Sequence, residues 1–291
     1  MAEGVPFSVR RGGSGVTIVT QDIASRASWE QWYLVRSDVH HDNAKSRRDL
    51  ERRHLEEARA RNAGILDIGD LFCAMQGKYD KRSDKGALRE EHKQGDYLDA
   101  LVRTAADFYE PFARHFVMIA PGNHESSVHA RHETDLTTRL VERLNDRAGA
   151  GIVRGGYSGW VWFQYTQSGK AKASRRLWYI HGYGGGGPVT LDTIQAQRQA
   201  VYVENADYIV SGHVHECWAA ERPRIRLDME GNVETRTVWL VKCPTYKDEY
   251  GAGEGGWHVE TGKAPKPLGC WWLRHWWDGE RGLREQWIRA D

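Results

Sequence analysis

Five apolar runs in this chain end on the same kind of residue. Trp32-Tyr33-Leu34-Val35 leads to Asp38 and His40, and Gly64 to Ile68 leads to Gly69-Asp70. Phe116 to Ala120 leads to Gly122-Asn123-His124-Glu125, Leu177 to Ile180 leads to His181-Gly182, and Tyr208-Ile209-Val210 leads to Gly212-His213-Val214-His215. Short, continuously apolar runs are the pattern of strands covered on both faces. The chain is thereby constrained to a sheet-centred α/β architecture whose strands deliver carboxylates, an amide and imidazoles at their carboxyl ends. Residues two apart share a face if a strand runs on regularly, so Asp38 pairs with His40 and His213 with His215, and Gly212 lets the backbone turn there.

The collected residues are Asp38, His40, Asp70, Asn123, His181, His213 and His215. Mixed oxygen and nitrogen donors suit Mn, Fe or Zn rather than a soft thiolate site or an all-oxygen Mg cage. Seven donors exceed the needs of one such ion and suffice for two if one carboxylate bridges. Two ions ~3.5–4 Å apart lower the pKa of a shared water and clamp both oxygens of an in-line displacement on phosphorus.

No linker divides the 291 residues. They read as an N-terminal extension over 1–30 with a short strand, followed by one domain over 31–291. That domain holds an insertion over 74–96 and Trp-rich strands over 270–290, the latter sealing a sheet or a contact between subunits. Lys78, Lys81, Arg82 and Lys85 of the insertion are expected beside the site. With 41 basic against 40 acidic residues, no global field recruits nucleic acid or an anionic membrane, and any such contact must be local. The start, Met1 to Pro6, lacks a long apolar segment, and no later run nears the ~20 apolar residues of a membrane span. A soluble, cytoplasmic chain is the expectation. Cys73, Cys217, Cys243 and Cys270 form no C-x-x-C pair and are expected as reduced, partly buried thiols.

Helical spacing marks 97–112, 133–145 and 190–203, and a β-hairpin is expected over 225–241. The stretch 43–62 reads as a polar helix with Arg47, Arg48, Arg52 and Arg53 paired to Glu51, Glu56 and Glu57 on a solvated face, where His54 needs no function. Asp67 should face away from Asp70. His41, His129 and His132 are expected as exposed loop histidines. The run Gly184 to Pro188 lacks a following Walker Lys-Ser/Thr, which leaves a loop that approaches phosphate closely or a plain turn.

In order, D-x-H, G-D, G-N-H-E, H and G-H-x-H resemble the calcineurin-like metallophosphoesterase superfamily over residues 33–216. The resemblance implies a four-layer αββα sandwich, two mixed β-sheets flanked by helices, with a dinuclear metal site at strand ends. It implies two divalent transition ions, Mn foremost, with Fe, Zn or Ni as alternatives. One is held by Asp38, His40, Asp70 and His215 and the other by Asp70, Asn123, His181 and His213, and a hydroxide between them attacks phosphorus. His124 matches the family histidine that stabilises the transition state or protonates the leaving oxygen, and Glu125 orients the cluster from behind. Leu71-Phe72-Cys73 after Asp70, and Ser126 after Glu125, depart from serine/threonine protein phosphatases. The chain looks more like phage and bacterial members, some akin to DNA-processing nucleases. A phosphodiesterase is the leading expectation, with a DNA nuclease and single-stranded DNA as one form it could take, and a phosphomonoesterase or nucleotide phosphatase is the alternative enzyme. A non-catalytic scaffold and a homo-oligomer are the remaining possibilities.

Overall fold

The structure is a computed structural model that describes residues 4–23, 29–76, 85–251 and 257–290. Lys78, Lys81 and Arg82 lie outside the described residues, as does the side chain of Lys85. In chain order the strands are β1 (Ser8–Arg11), β2 (Val16–Asp22), β3 (Glu30–Arg36), β4 (Gly64–Asp67), β5 (Phe116–Ile119), β6 (Val153–Arg154) and β7 (Ser158–Gln167). They continue as β8 (Lys170–Ile180), β9 (Tyr208–Ser211), β10 (Trp218–Leu227), β11 (Val233–Lys242), β12 (Cys270–Asp278) and β13 (Gly282–Ala290). The helices are α1 (Arg48–Ala60), α2 (Tyr97–Tyr109), α3 (Asn123–His132), α4 (Leu136–Ala148), α5 (Thr193–Tyr202) and the single turn α6 (Trp257–Glu260).

Two mixed sheets result, one ordered β1-β2-β7-β8-β9-β11-β10 and the other β13-β12-β3-β4-β5-β6. The doubly apolar runs explain the layering. Along β3, Leu34 faces a core shared with Leu50 and Leu55 of α1, Leu101 of α2 and Leu140 of α4, while Tyr33 and Val35 face the other sheet. Val161, Phe163, Tyr179 and Val210 of that second sheet meet them in the inter-sheet core. Behind it, Trp178, Ile209 and Leu240 pack on Ala196 and Ala200 of α5. The fold is therefore helices, sheet, sheet, helix, an αββα sandwich. Trp271 and Trp287 fill the inter-sheet core, and Trp272 faces the helices.

Parallel register lines up the strand ends. Arg36 pairs with Asp67, and Asp67 with Ile119, so β3, β4 and β5 finish side by side. In the other sheet Ile180 pairs with Ser211 at the ends of β8 and β9. The loops leaving all five strands consequently share one edge of the sandwich, the usual place for a site in parallel α/β sheets.

Three expectations need correction. The N-terminal segment carries a second strand, β1, and β2 pairs in parallel with β7 from Val16 to Asp22, within the larger sheet. His129 and His132 close helix α3 rather than sit on a loop, because Glu125 caps that helix by accepting from Gly122 N at 2.8 Å. Glu51 and His54 on α1 are buried rather than solvated, since this helix lies over the loop after β3. The four cysteines form no disulfide with one another, and Cys73, Cys243 and Cys270 are buried. No helix among the described residues is long and apolar enough to cross a membrane.

Candidate metal centre

The candidate donors converge, but not by the pleat. β3 ends at Arg36 and β9 at Ser211, so Asp38, His40, His213 and His215 all lie beyond their strands. These four and Asp70 take left-handed backbone, with φ between 49° and 72°. Such backbone is uncommon for residues with a Cβ and gathers at functional sites. It is this winding, not strand alternation, that turns each pair inward. Gly212 is not left-handed; it provides closeness, because a Cβ there would strike the Ser37 hydroxyl and the Asp38 carboxylate. Gly122 likewise lies against the Asp70 carboxylate.

Two groups of three result. Asp38, His40 and His215 offer donor atoms within 4.8 Å of one another, and so do Asp70, His181 and His213. The Asn123 amide lies 2.7 Å from His213 Nδ1 and 3.2 Å from His181 Nε2, beside the second group. His181 Nε2 spans the two, 3.1 Å from Asp70 Oδ2 and 4.0 Å from Asp38 Oδ1. A third group, His40, Cys73 and His124, shares His40 with the first. Asp67 turns away from all of these toward Arg36, 2.8 Å away.

Backbone carbonyls select the ring nitrogens. A carbonyl only accepts, so His181 Nδ1 donates to Ile68 O at 3.2 Å and His213 Nε2 donates to Gly184 O at 2.8 Å. The opposite nitrogens face inward. His124 Nδ1 donates to Cys73 O at 2.5 Å, leaving Nε2 at 3.7 Å from Asp70 Oδ2. Second partners of this kind hold metal-ligating imidazoles in orientation.

The inward atoms fit a cation. His40 Nε2 and His215 Nε2 stand 3.4 Å apart, and Asp38 Oδ1, fully buried, has no hydrogen-bond partner among the described residues although His215 Nε2 is 3.2 Å away. With its NH2 inward the Asn123 amide donates to Asp70 and both imidazoles; with its oxygen inward it joins a set of acceptors that only a cation satisfies. Burial alone would raise the carboxyls of Asp38 and Asp70. Contact with His215 and His181 outweighs it for Asp38, and His181 and His124 outweigh it for Asp70, so both stay below the usual carboxylate range. Burial would lower His181, yet the Asp70 and Asp38 carboxylates raise it to about 9. The cleft therefore concentrates negative potential where the two groups meet.

Buried partners hold these loops. Glu125 Oε1 accepts from Phe72 N at 2.7 Å while its Oε2 accepts from Gly122 N, which ties the Asp70 loop to the Asn123 loop. Burial and the nearby Asp70 carboxylate push Glu125 up to about 8. Arg36, fully buried, donates to Glu51 Oε1 at 2.8 Å, and Glu51 also meets His41 Nδ1 at 3.0 Å and the Tyr109 hydroxyl. His41 is thus a buried bracing residue, not an exposed loop histidine, because α1 and α2 close over it. His54 is likewise buried, 2.9 Å from the Tyr246 hydroxyl, whereas His129 is exposed as expected. Lys242, also buried, donates to Ser211 Oγ at 2.9 Å and Gly212 O at 3.0 Å and pairs with Asp192 at 2.5 Å. That pairing fixes the far end of the glycine-run loop beside His213.

A cleft of about 1090 Å³ opens over the two groups. Its walls include the glycine run, and Lys45, Lys247, Lys263 and Lys266 from segments to which no motif had drawn attention. Lys247 belongs to a loop, 244–269, whose sequence carries no periodic or motif signal; the bridge between Ser46 and Lys247, with Tyr246 N and Thr245 Oγ1 donating to Asp38 O, brings it to the cleft.

No family model matches the sequence, and no curated protein matches it. Solved structures with partial likeness include a candidate 5′-nucleotidase from Staphylococcus aureus in complex with alpha-ketoglutarate, at 14% identity and a TM-score of 0.47. It covers 90% of this chain, which spans 55% of that protein's length. A conserved protein of Streptococcus pneumoniae described as a predicted phosphoesterase has 11% identity and a TM-score of 0.31, over 91% of this chain and 100% of the other. The anchor in the inner membrane complex of Plasmodium has 9% identity and a TM-score of 0.40, over 90% and 85%. With overlaps this loose, none of these likenesses bears on the chemistry of the chain.

Proposed function

We propose that the chain is a dinuclear-metal phosphoester hydrolase that prefers phosphodiesters, single-stranded DNA among them. The observation that carries the reading is the pair of adjoining groups, Asp38/His40/His215 and Asp70/His181/His213, on one edge of the sandwich. One divalent ion, Mn foremost, would be held by Asp38, His40, Asp70 and His215, and the second by Asp70, Asn123, His181 and His213. When bound, such ions bring the pKa of water near neutrality and offset charge on phosphoryl oxygens.

The remaining work falls to the protein. Asp38 and Asp70 stay ionised, so donors are ready at neutral pH. Ile68 and Gly184 keep His181 Nε2 and His213 Nδ1 turned inward. His124 Nε2 faces the cleft with its ring held by Cys73 O, placed to donate to a phosphoryl oxygen or to protonate the leaving oxygen. The resemblance of the five motif blocks to calcineurin-like metallophosphoesterases supports the same assignment.

Preference for a diester rests on the cleft. A terminal phosphate dianion is well matched by a bidentate arginine fork, and among the described residues no arginine lines this cleft. Its volume also exceeds the ~300–1,000 Å³ of pockets that enclose small ligands. A panel of monoesters and diesters with Mn-reconstituted protein tests the reading, with diester cleavage expected. Rapid monoester hydrolysis with diesters untouched would replace the diester preference by a phosphatase. Two bound ions with neither class cleaved would favour a binding protein. In the same assay His124→Ala should lose at least ~10²-fold in turnover and keep both ions; a lost ion would contradict its role.

A further inference from the structure

We propose that Cys73, His40 and His124 form a binding site for a thiophilic divalent ion, Zn²⁺ or Cd²⁺, which competes with the first of the two proposed hydrolytic ions for His40. The site stands on these three side chains, and only its effect on turnover rests on the hydrolase reading.

The three residues offer donor atoms that lie within 4.8 Å of one another. The rings of His40 and His124 stand edge to face, with centroids 4.9 Å apart. The thiol is not placed like its neighbours. Leu71, Phe72 and Ala74 enter the core shared with the helices. The Cys73 sulfur instead meets the two imidazoles and the Asn43 amide, whose Nδ2 donates to Sγ at 3.3 Å. Asn43 Oδ1 accepts from Lys45 N at 2.9 Å, which settles the amide with its NH2 toward the sulfur. A donor aimed at sulfur favours the thiolate over the thiol.

Backbone bonds set these donors in place before any ion arrives. Cys73 N donates to Asp42 Oδ1 at 2.5 Å and Ala74 N to Asp42 Oδ2 at 2.9 Å. His41 N donates to Leu71 O at 2.7 Å and His40 N to Asp70 O at 3.0 Å. The loop that carries His40 and the loop that carries Cys73 are thereby stapled side by side. Asn43 N donates to His40 O at 2.8 Å, which ties the amide to the same turn, and Cys73 O accepts from His124 Nδ1 and holds the third ring. Donors ordered in advance leave little ordering cost to binding.

The donor types choose the ion. A thiolate with two imidazoles suits Zn²⁺ with one open position, and thiolate selects soft ions over Mn, which prefers oxygen. Binding breaks the S–H bond, forms an S–metal bond and gives the proton to water. His40 and His124 line the cleft, which gives the ion a route in. A neutral imidazole has one lone pair, so His40 serves either this ion or the one it would share with Asp38 and His215. Occupancy also engages His124, the proposed acid. A soft ion is therefore an inhibitor at a centre that Mn activates.

Anaerobic titration of the metal-free full chain with Cd²⁺, followed by thiolate-to-metal charge-transfer absorbance in the ultraviolet, tests the site. Wild type should develop a saturable band that Cys73→Ser loses. Cys217→Ser, at the least buried of the other cysteines, should retain it. Cys73→Ala leaves no polar group at the buried position and keeps the test open if the serine disturbs folding. In the Mn-reconstituted chain the band should grow as Mn is released. Zn²⁺ should stop diester cleavage, and Cys73→Ser should need at least ~10-fold more Zn²⁺ than wild type, each measured against its own Mn-supported rate. No band in wild type, or a band that survives both Cys73 substitutions, would overturn the inference, and diester cleavage by the same protein would then spare the hydrolase reading. A band that forms with Mn content unchanged would overturn the competition for His40. A band lost with the Cys73 thiol, in a protein that cleaves no ester, would keep the soft-ion site and sink the hydrolase.

Discussion

Two sets of buried histidines separate the cleft from the core. His275, on β12 between the sheets, has Nδ1 2.5 Å from the Tyr165 hydroxyl and Nε2 2.9 Å from the Tyr208 hydroxyl. Each hydroxyl can donate or accept, so the neutral ring is satisfied on both sides. Burial, with Arg175 nearby, holds His275 well below its ordinary value. His181 is equally buried and His40 nearly so. Their inner nitrogens face carboxylates, an amide and other imidazoles instead. Burial does not distinguish the two sets; partner chemistry does, because hydroxyls adapt to a neutral ring whereas carboxylates and imidazoles converging on one place suit a positive charge, a proton or a metal ion.

The sharpest way to break this contrast is to substitute one histidine from each set. Loss of a residue that merely orients a metal ligand costs ~10–100-fold in affinity. His213→Ala, which removes a proposed ligand itself, should exceed ~100-fold by metal titration and lose turnover with it. His275→Phe should leave metal content and turnover as in wild type. Metal loss in His275→Phe, or full loading in His213→Ala, would erase the distinction.

A second contrast is between the donor groups proposed to hold ions and a network that carries its own cation. Arg36, Glu51, Asp67 and His41 form a buried network beside the cleft with a built-in cation. Arg36→Met leaves two carboxylates buried without it and should cost ~3–5 kcal/mol in chemical denaturation. The pH dependence sharpens the point. Burial disfavours the charged form of Glu51, but His41 and Arg36 outweigh it and lower the group from 4.5 to about 2. A carboxyl lowered on folding contributes stability that is present above its unfolded value and is lost as pH falls through its folded value. The stability gap between wild type and Glu51→Gln should therefore be flat above pH 4.5 and narrow toward pH 2. A gap that widens on acidification would contradict the arrangement.

The smallest expected effect is on the core side. His275→Phe strands the Tyr165 and Tyr208 hydroxyls, at a cost of ~1–3 kcal/mol for each buried group left unsatisfied. The Tyr33 hydroxyl, 3.2 Å from Tyr165, and Arg175 beside the Tyr208 hydroxyl should recover part of that. A melt with unchanged metal content and a modest loss of stability is the expected outcome.

Much of the site could be read from residues because apolar runs mark buried strands and the polar residues that follow must leave them at one edge. Asp38, Asp70, Asn123 and His213 were legible for that reason. The backbone route was not. Left-handed winding at Asp38, His40, His213 and His215 follows from how the loops pack, and spacing two suggests pleat alternation just as readily. His41, His54 and Glu51 looked like surface residues because local pattern cannot show that α1 covers the loop after β3. Lys247 and Lys263 escaped notice because their place depends on a long loop brought back by pairing to Asp38 and Ser46.

The central claim, that the two groups of donors hold two ions with Asp70 between them, meets its most direct test in elemental analysis of the Mn-loaded chain. Two ions per chain in wild type, falling in Asp70→Asn with the fold intact, is the result predicted. A stoichiometry fixed at one, with Asp70→Asn binding as tightly as wild type, would contradict it.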